Sequence, residues 1–535
     1  MLTILPVALL FILALAVYIL RYFPRGTGYA WLTAVLMSLI IWGGVLAYHW
    51  LQPEAFTVAP WRPFATDSAD PIRLRWDSIS WPFGFNLLSA VLAVLMTASA
   101  RLRMNSNPLT WSTNLAVAGA AVAAVISDSP LALLLAWVML DVIDLLLVMR
   151  LSRIWKYTSR GVMAFVVRTL SSFLLIGALS IHRSAVSDPL SFENMLPQAS
   201  LLVLLSLGLR LGLLPLNTPY AEDFPFQRGL ISFIRLSAYA AGLSALSHFP
   251  QNGVPANWQP ILYFITLAVC LYGAIRWLTA RDEIYGRPFW LLTLSGLAFI
   301  CVLQGQASAS IAWGVVMISS GLSLFLYSAR TRGLLVLPVL GAFALTGLPF
   351  TPGSVGWAGL IIPPYNLGDG LAILVVALLL VGYIHHALRS GGNYYQLEGW
   401  ARGIYPIGLF VITISGWITA FLGFPGFTII GQWVPAVVSV VLAGAISLVL
   451  YGFLSQRIVN IQTGGWVGLF FLGAGRRLTD FFSLNWFYNF LWLIYRGIRQ
   501  LVYILTLIFE GEGGLMWAFV LLALLLTVLS SGGFF

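Results

Sequence analysis

The residues able to do chemistry in this chain lie where charge is expensive. Asp141 and Asp144 stand in Trp137-Val138-Met139-Leu140-Asp141-Val142-Ile143-Asp144, and their i,i+3 spacing puts both carboxylates on one helix face. Arg168, Arg210 and Arg235 each interrupt a separate apolar run further along. Ionisable groups within apolar helices mark an ion path or an internal ion-pair set. Two acids and three guanidiniums on four consecutive helices fit either a polar path through a bundle or a static cluster that fixes packing. Of the 28 basic residues only Lys156 is a lysine. A carboxylate can take up and release a proton, whereas arginine stays charged and cannot hand one on. In a proton relay the acids would therefore be the carriers and the arginines fixed electrostatic partners.

The elements that position these groups follow from composition. With 60% hydrophobic and 9% charged residues and a mean hydropathy of +0.91, the chain cannot cover a water-facing surface. Soluble enzymes, disordered proteins and nucleic-acid binders are excluded. A bilayer core needs roughly 20 apolar helical residues. Such runs lie near 2–20, 29–51, 80–100, 112–127, 130–149, 162–181, 198–217, 229–248, 260–280, 289–306, 309–329, 333–350, 369–388, 403–422 and 432–454. An aromatic stretch near 482–509 and a last span near 514–530 follow. The first run has no basic flank and no small-residue cleavage site, and reads as a retained helix.

Charge placement sets the orientation. Connections after odd-numbered spans hold Arg21 and Arg25, Arg101 and Arg103, Arg150, Arg153, Lys156 and Arg160, Arg228, Arg276, Arg281 and Arg287, Arg330 and Arg332, and Arg389 and Arg402. Connections after even-numbered spans up to the fourteenth hold only Arg62, Arg73, Arg75 and Arg183. Basic residues collect in cytoplasmic loops, so a multi-pass protein of the cell membrane with its N-terminus outside is expected. The net charge of +10 is then topological and implies no nucleic-acid partner. The loop 52–79, with Ile72-Arg73-Leu74-Arg75-Trp76, fits a small external hairpin. No large loop carries acidic metal ligands, Cys270 and Cys301 have no ligand spacing, and no nucleophile–base set or cofactor motif is present. No metal, no cofactor and no catalysis by this chain alone are expected.

Two spans carry helix breakers at comparable depth. One reads Gly208-Leu209-Arg210-Leu211-Gly212-Leu213-Leu214-Pro215-Leu216-Asn217; the other reads Gly347-Leu348-Pro349-Phe350-Thr351-Pro352-Gly353. Paired interruptions are a sign of repeated halves whose unwound backbone lines a cavity, here an inverted repeat of helices 4–8 and 9–13. His385 and His386 end the thirteenth span, where they would titrate or sit at the interface. His49, His182 and His248 also fall at helix ends.

These stretches together resemble the antiporter-like subunits of respiratory complex I, membrane-bound hydrogenases and multi-subunit (Mrp-type) cation/proton antiporters. In that family a Lys precedes a Pro by five, a His and an acidic turn follow, and the next helix has a basic residue four before a Tyr. Here Arg210 precedes Pro215, Asn217 stands where the His would, Glu222-Asp223 supply the acidic turn, and Arg235 precedes Tyr239. The twelfth-span break with Pro349, Pro352 and Gly353 is similar to the family's Gly-Leu-Pro-Pro-x-x-Gly, and Asp77-Ser78-Ile79-Ser80 to its Asp-x-x-Ser entry to helix 3. The resemblance covers roughly residues 30–450. It implies an all-α polytopic membrane protein with about 14 core transmembrane helices, two inverted five-helix repeats and extra C-terminal helices. The segments would be 1–111, a first repeat 112–248, a second repeat 260–389 and a C-terminal part 403–535.

Departures from the family pattern fall on its chemistry. The family's fifth-helix Glu is Val138 here, with Asp141 one turn on as the substitute. Its seventh-helix Lys is Arg210, its eleventh-helix Lys is Gly321, and the Lys after the twelfth-helix break is Trp357. A second-half path would then rest on water and on Ser319, Ser320 and Ser323. The resemblance implies a subunit giving an H⁺ or Na⁺ path within a complex I-like, hydrogenase or antiporter assembly of integral membrane partners, with weakened coupling. The alternative is a non-conducting scaffold that keeps the fold and anchors partners. If the assembly is a proton-translocating NADH:quinone oxidoreductase, the redox chemistry sits in other chains. In the tail, Arg476, Arg477, Trp492, Arg496 and Arg499 among aromatics fit an interfacial or lateral helix, or one more span.

Overall fold

The structure, a computed structural model, describes all residues except 24–25, 62–69, 102–106, 152–154, 186–191, 193–194, 218–227, 251–253, 425–426, 428–432, 455–484, 511–518, 521, 525 and 528–535. Glu222, Asp223, Arg476 and Arg477, and most of the expected span 514–530, lie outside the described residues. The chain forms two compact units, Met1–Gly465 and Trp466–Phe535.

The first unit opens with α1 (Leu5–Leu20) and α2 (Gly26–Leu51), then a hairpin of β1 (Phe56–Trp61) and β2 (Asp70–Leu74). The two strands are antiparallel, pairing Phe56 with Leu74 and Val58 with Ile72, as the alternating stretch predicts. Helices α3 (Ser80–Thr97), α4 (Pro108–Val125), α5 (Pro130–Leu151), α6 (Trp155–Ala185), α7 (Pro197–Arg210) and α8 (Arg228–Ser247) follow. Next come α9 (Gln259–Leu278), α10 (Glu283–Leu303), α11 (Ala307–Leu326), α12 (Val336–Thr346), α13 (Ser354–Leu360), α14 (Leu367–Leu388), α15 (Gly399–Gly423) and α16 (Trp433–Leu454). A short parallel bridge joins β3 (Ala329–Arg330) to β4 (Gly392–Asn393).

Local chemistry sets these boundaries. Asn107 accepts the Leu109 N–H at 3.0 Å ahead of Pro108, and Asp282 accepts the N–H groups of Ile284 and Tyr285 at 2.9 Å each. Asn366 and Asp369 form a reciprocal capping box on α14. Such caps satisfy amides that the first helical turn leaves without partners. The family-like Asp77-x-x-Ser80 has the same physical basis. Asp77 Oδ1 accepts the Ser80 N–H at 2.7 Å and Ser80 Oγ accepts the Asp77 N–H at 2.8 Å, which starts α3.

Among the described residues, 12 helices are long and apolar enough to cross a membrane, and α7, α12 and the start of α16 are shorter apolar helices. The apolar windows of α10 and α11 are wholly buried, those of α3 and α8 are 89% buried, and those of α1 and α2 only 39%. The first group therefore forms the centre and the outer helices present Ile12, Leu15, Phe173 and Phe421 as a lipid-facing surface. Helix α15 is pinned to α3 by hydrogen bonds from Asn86 Nδ2 to Thr419 at 2.7 Å and from Ser415 to Asn86 Oδ1 at 3.0 Å. The basic connection expected after the fifth span is mostly helix: α5 runs to Leu151 and α6 starts at Trp155.

In the second unit α17 (Asn485–Glu510) carries Asn489, Trp492, Arg496, Arg499 and Tyr503 at alternating spacings of three and four. Such a stripe fits an interfacial or lateral helix, and 26 helical residues are also enough for one more span.

Candidate functional site

All five charged residues singled out in the sequence meet inside the first unit. Trp137, Asp141 and Asp144 lie on one face of α5, at spacings of four and three. Arg210, at the C-terminus of α7, forks onto Asp141 with Nη1–Oδ2 at 3.0 Å and Nη2–Oδ1 at 2.9 Å. Arg168, on α6, donates to Asp144 Oδ2 at 2.6 Å and reaches Asp141 Oδ1 at 3.5 Å. Arg235, on α8, donates to both oxygens of Asp144 at 3.2 and 3.0 Å. Each of these five residues is at most 6% exposed. Two carboxylates are thus shared among three guanidiniums, and every carboxylate oxygen accepts at least one N–H.

The helices that carry the cluster are tied together beside it. Ser171 and Ser206 donate to each other's backbone carbonyls at 2.9 and 2.7 Å, joining α6 to α7. The guanidinium of Arg210 lies 4.2 Å from the ring centre of Trp137, a cation–π contact that desolvation strengthens. The sequence reading assigned no role to Trp137; its position one turn before Asp141 was the available signal. Val138, at the position of the family's Glu, is 47% exposed and turned out of the cluster. A polar line continues along α8 from Arg235: Arg287 Nη1 donates to Ser232 at 2.9 Å, and Ser232 donates to the Arg228 carbonyl at 2.7 Å.

Both expected breaks are present. Helix α7 stops at Arg210, and Gly212 turns the chain at φ +75°, where a Cβ would lie 2.6 Å from the Asn217 carbonyl oxygen. Pro215 sits in the turn, and Asn217 Nδ2 donates to the carbonyls of Leu209 at 3.3 Å and Pro215 at 3.1 Å. The side chain at the family's His position thus satisfies carbonyls released by the break. At the second break Gly347 adopts φ +67° after α12. Pro349 and Pro352 lie in the following turn, and the Gly353 N–H closes it onto the Ala344 carbonyl at 3.1 Å.

At the two second-half positions where the resemblance implies lysines, Trp357 fills one and Trp290 packs against Gly321 at the other. Trp357 is fully buried and donates its indole N–H to the Thr346 carbonyl at 3.2 Å, the last carbonyl of α12. Its ring meets Trp313 edge-on at 5.8 Å. At Gly321 a Cβ would stand 2.6 Å from Trp290 Nε1, and Trp290 packs on Trp277 at 5.2 Å and on Tyr383 at 5.5 Å. Of the three serines expected to carry a water path, Ser319 donates to the Val315 carbonyl and Ser323 pairs with Thr413, each at 2.8 Å, while the Ser320 hydroxyl is buried without a hydrogen-bond partner. His386, in the last turn of α14, faces the protein interior. It is fully buried, 4.5 Å from the Trp277 ring, with Nε2 3.0 Å from the Trp277 carbonyl. His385 Nε2 accepts from Arg389 at 2.9 Å.

One titratable pair lies beyond the helix ends. His248 Nε2 contacts Asp77 Oδ2 at 3.0 Å and its Nδ1 contacts the Ser244 carbonyl at 2.8 Å. Burial alone would lower the imidazole, but the Asp77 contact outweighs it and His248 is raised above its ordinary value. Burial alone would raise Asp77, but His248 and Ser80 hold it well below the usual carboxylate range.

The sequence matches no protein-family model and no curated protein. Solved structures do match. A chain of the Mrp complex from Dietzia sp. DQ12-45-1b superposes with TM-score 0.67 at 15% identity, covering 98% of this chain. A chain of the archaeal membrane-bound sulfane sulfur reductase superposes with TM-score 0.65 at 13% identity, covering 98% of this chain and 99% of that one. A chain of respiratory complex I from Thermus thermophilus gives TM-score 0.61 at 18% identity, covering 83% and 99%. The present chain spans 62% of the length of the Mrp chain it matches. The chain shares the fold of these membrane-complex chains and is a polytopic α-helical membrane protein.

Proposed function

We propose that this chain is an integral membrane subunit of a multi-subunit complex, giving an H⁺ or Na⁺ path in its first half with coupled pumping weakened. The observation that carries the reading is the replacement chemistry. Arginines hold Asp141 and Asp144, Trp357 takes the place of one family lysine, and Gly321 takes the place of another with Trp290 packed against it. In this reading Asp141 and Asp144 are the proton carriers, water passes the proton between them, and Arg168, Arg210 and Arg235 act as fixed charges. Nothing in the second half then switches protonation in answer to a neighbouring subunit. The membrane partners and the outside N-terminus rest, respectively, on the multi-subunit company of the fold's relatives and on the loop arginines.

An inverted repeat of α4–α8 and α9–α14 is part of the proposal, supported by matching neighbour relations. Helices α4 and α5 pack on each other and on α8, and α6 joins α5 to α7, which packs on α8. In the second half α9 and α10 pack on each other and on α14, and α11 joins α10 to α12, which packs on α14.

A second reading, a non-conducting scaffold, is favoured by one observation: all four carboxylate oxygens are already occupied by guanidiniums. Asp141→Asn combined with Asp144→Asn separates the two. The path reading expects proton flux in reconstituted vesicles to vanish while the complex still assembles. Unchanged flux with impaired assembly or melting would reject the path and support the scaffold.

A further inference from the structure

A cavity of about 1040 Å³ opens at the end of the bundle where α8 and α10 begin and where the chain leaves α11 and α14. Four arginines line it, Arg228, Arg281, Arg330 and Arg389, against two acids, Asp282 and Glu283. Both acids are committed. Asp282 caps α10. Glu283 Oε1 accepts from Arg330 at 2.8 Å and from Arg228.

Two of the lining guanidiniums therefore have no carboxylate partner among the described residues. Arg281 is exposed and has no ion pair or hydrogen bond among the described residues. Arg389 Nη2 is spent on the Ala280 carbonyl at 3.1 Å and on His385, while its Nη1 is buried and meets no acceptor. An unsatisfied buried donor on a permanent cation is costly, and the acceptor that satisfies it best is an anionic oxygen.

The surrounding backbone keeps these groups together. Arg330 donates to the carbonyls of His386 (3.1 Å) and Arg389, and a Cβ at Gly391 would lie 2.6 Å from Arg330 Cδ. The Gly391 turn thus lets Arg330 lie against the loop that carries Arg389. The bias of arginines toward one side of a membrane protein accounts for their number at this end. It does not account for their convergence on one concavity with a buried donor left over.

We propose that this cavity binds a phosphate-bearing anion, seated between the guanidiniums of Arg281 and Arg389. Planar guanidinium forks suit phosphate oxygens, and the volume is ample for a phosphate or a phospholipid headgroup. Free phosphate and an anionic lipid present the same chemistry. The proposal does not depend on whether the first half conducts.

The test uses the full chain purified in an uncharged detergent. Binding of inorganic phosphate is titrated calorimetrically, and retention of phosphatidylglycerol over phosphatidylcholine is measured by native mass spectrometry. Arg281→Gln is expected to weaken whichever probe binds by about tenfold or more. Arg389→Gln should do the same, but its side chain also holds the Ala280 carbonyl, so Arg281→Gln, an exposed site, carries the test should that variant misfold. Arg332→Gln, at the same end but outside the lining, serves as the bulk-charge control and should leave binding unchanged. Phosphate binding that competes with the lipid, or lipid retention alone, each supports the site and identifies the source. The proposal is overturned if neither probe binds the wild type, if Arg281→Gln binds like wild type, or if Arg332→Gln weakens binding equally.

Discussion

Buried charge makes single side chains decisive in this molecule. Removing one partner of a buried ion pair costs on the order of 3–5 kcal/mol because the other charge is stranded. Arg210→Gln should therefore destabilise the protein by about that much, read from chemical unfolding in detergent. Arg210→Gln with Asp141→Asn should cost less than the sum of the singles, since neither charge is then stranded. At the helix ends the His248–Asp77 pair gives a pH dependence with a defined sign. The folded-state pKa of His248 is raised above its ordinary 6.5, so its contribution is fully present below that value and is lost as pH rises through the raised value. Asp77 runs the other way: its contribution is present above about 3.9 and is lost as pH falls through its lowered folded value. Between about pH 6 and about pH 9 the wild type should lose more melting temperature than His248→Gln. Equal losses would remove the pair from the account.

At the scale of elements, the two breaks show what a sequence can and cannot disclose. Pro215, Pro349 and Pro352 were legible because proline and glycine act on their own backbone. The charged cluster was legible because ionisable residues stand out in apolar helices, though not its pairing, which depends on how far α6, α7 and α8 rotate toward α5. Nothing in the order of residues reveals that Trp357 caps the Thr346 carbonyl or that Trp290 packs against Gly321. Those are contacts between segments distant in the chain, and an apolar residue carries no local mark of its neighbours. The burial of His386 was missed for the same reason. A direct consequence is that lysine cannot simply be restored. Gly321→Lys is expected to destabilise by about 1–3 kcal/mol through overpacking against Trp290, measured as a shift in unfolding midpoint, and Trp290→Ala in the same chain should relieve part of that loss.

Over the whole molecule, burial grades from the centre outward. Amide exchange should be slowest in α10 and α11, slow in α3 and α8, and fastest in α1 and α2, following the loss of packed apolar contacts. Comparable rates in α10 and α1 in delipidated micelles would contradict this order. Among the described residues the placement of spans came through from hydropathy, because lipid demands long apolar helices whatever the protein does. So did the difference between the halves, since Gly321 and Trp357 stand where the resemblance implies lysines. Its consequence is electrical. The first half gathers five buried charges on four helices, whereas tryptophan and tyrosine rings pack the middle of the second half. Moving one elementary charge through the full field is worth about 2.3 kcal/mol per 100 mV. A voltage response carried by this cluster would lie between α5 and α8, where an electrochromic dye is expected to respond more strongly than one beside α12.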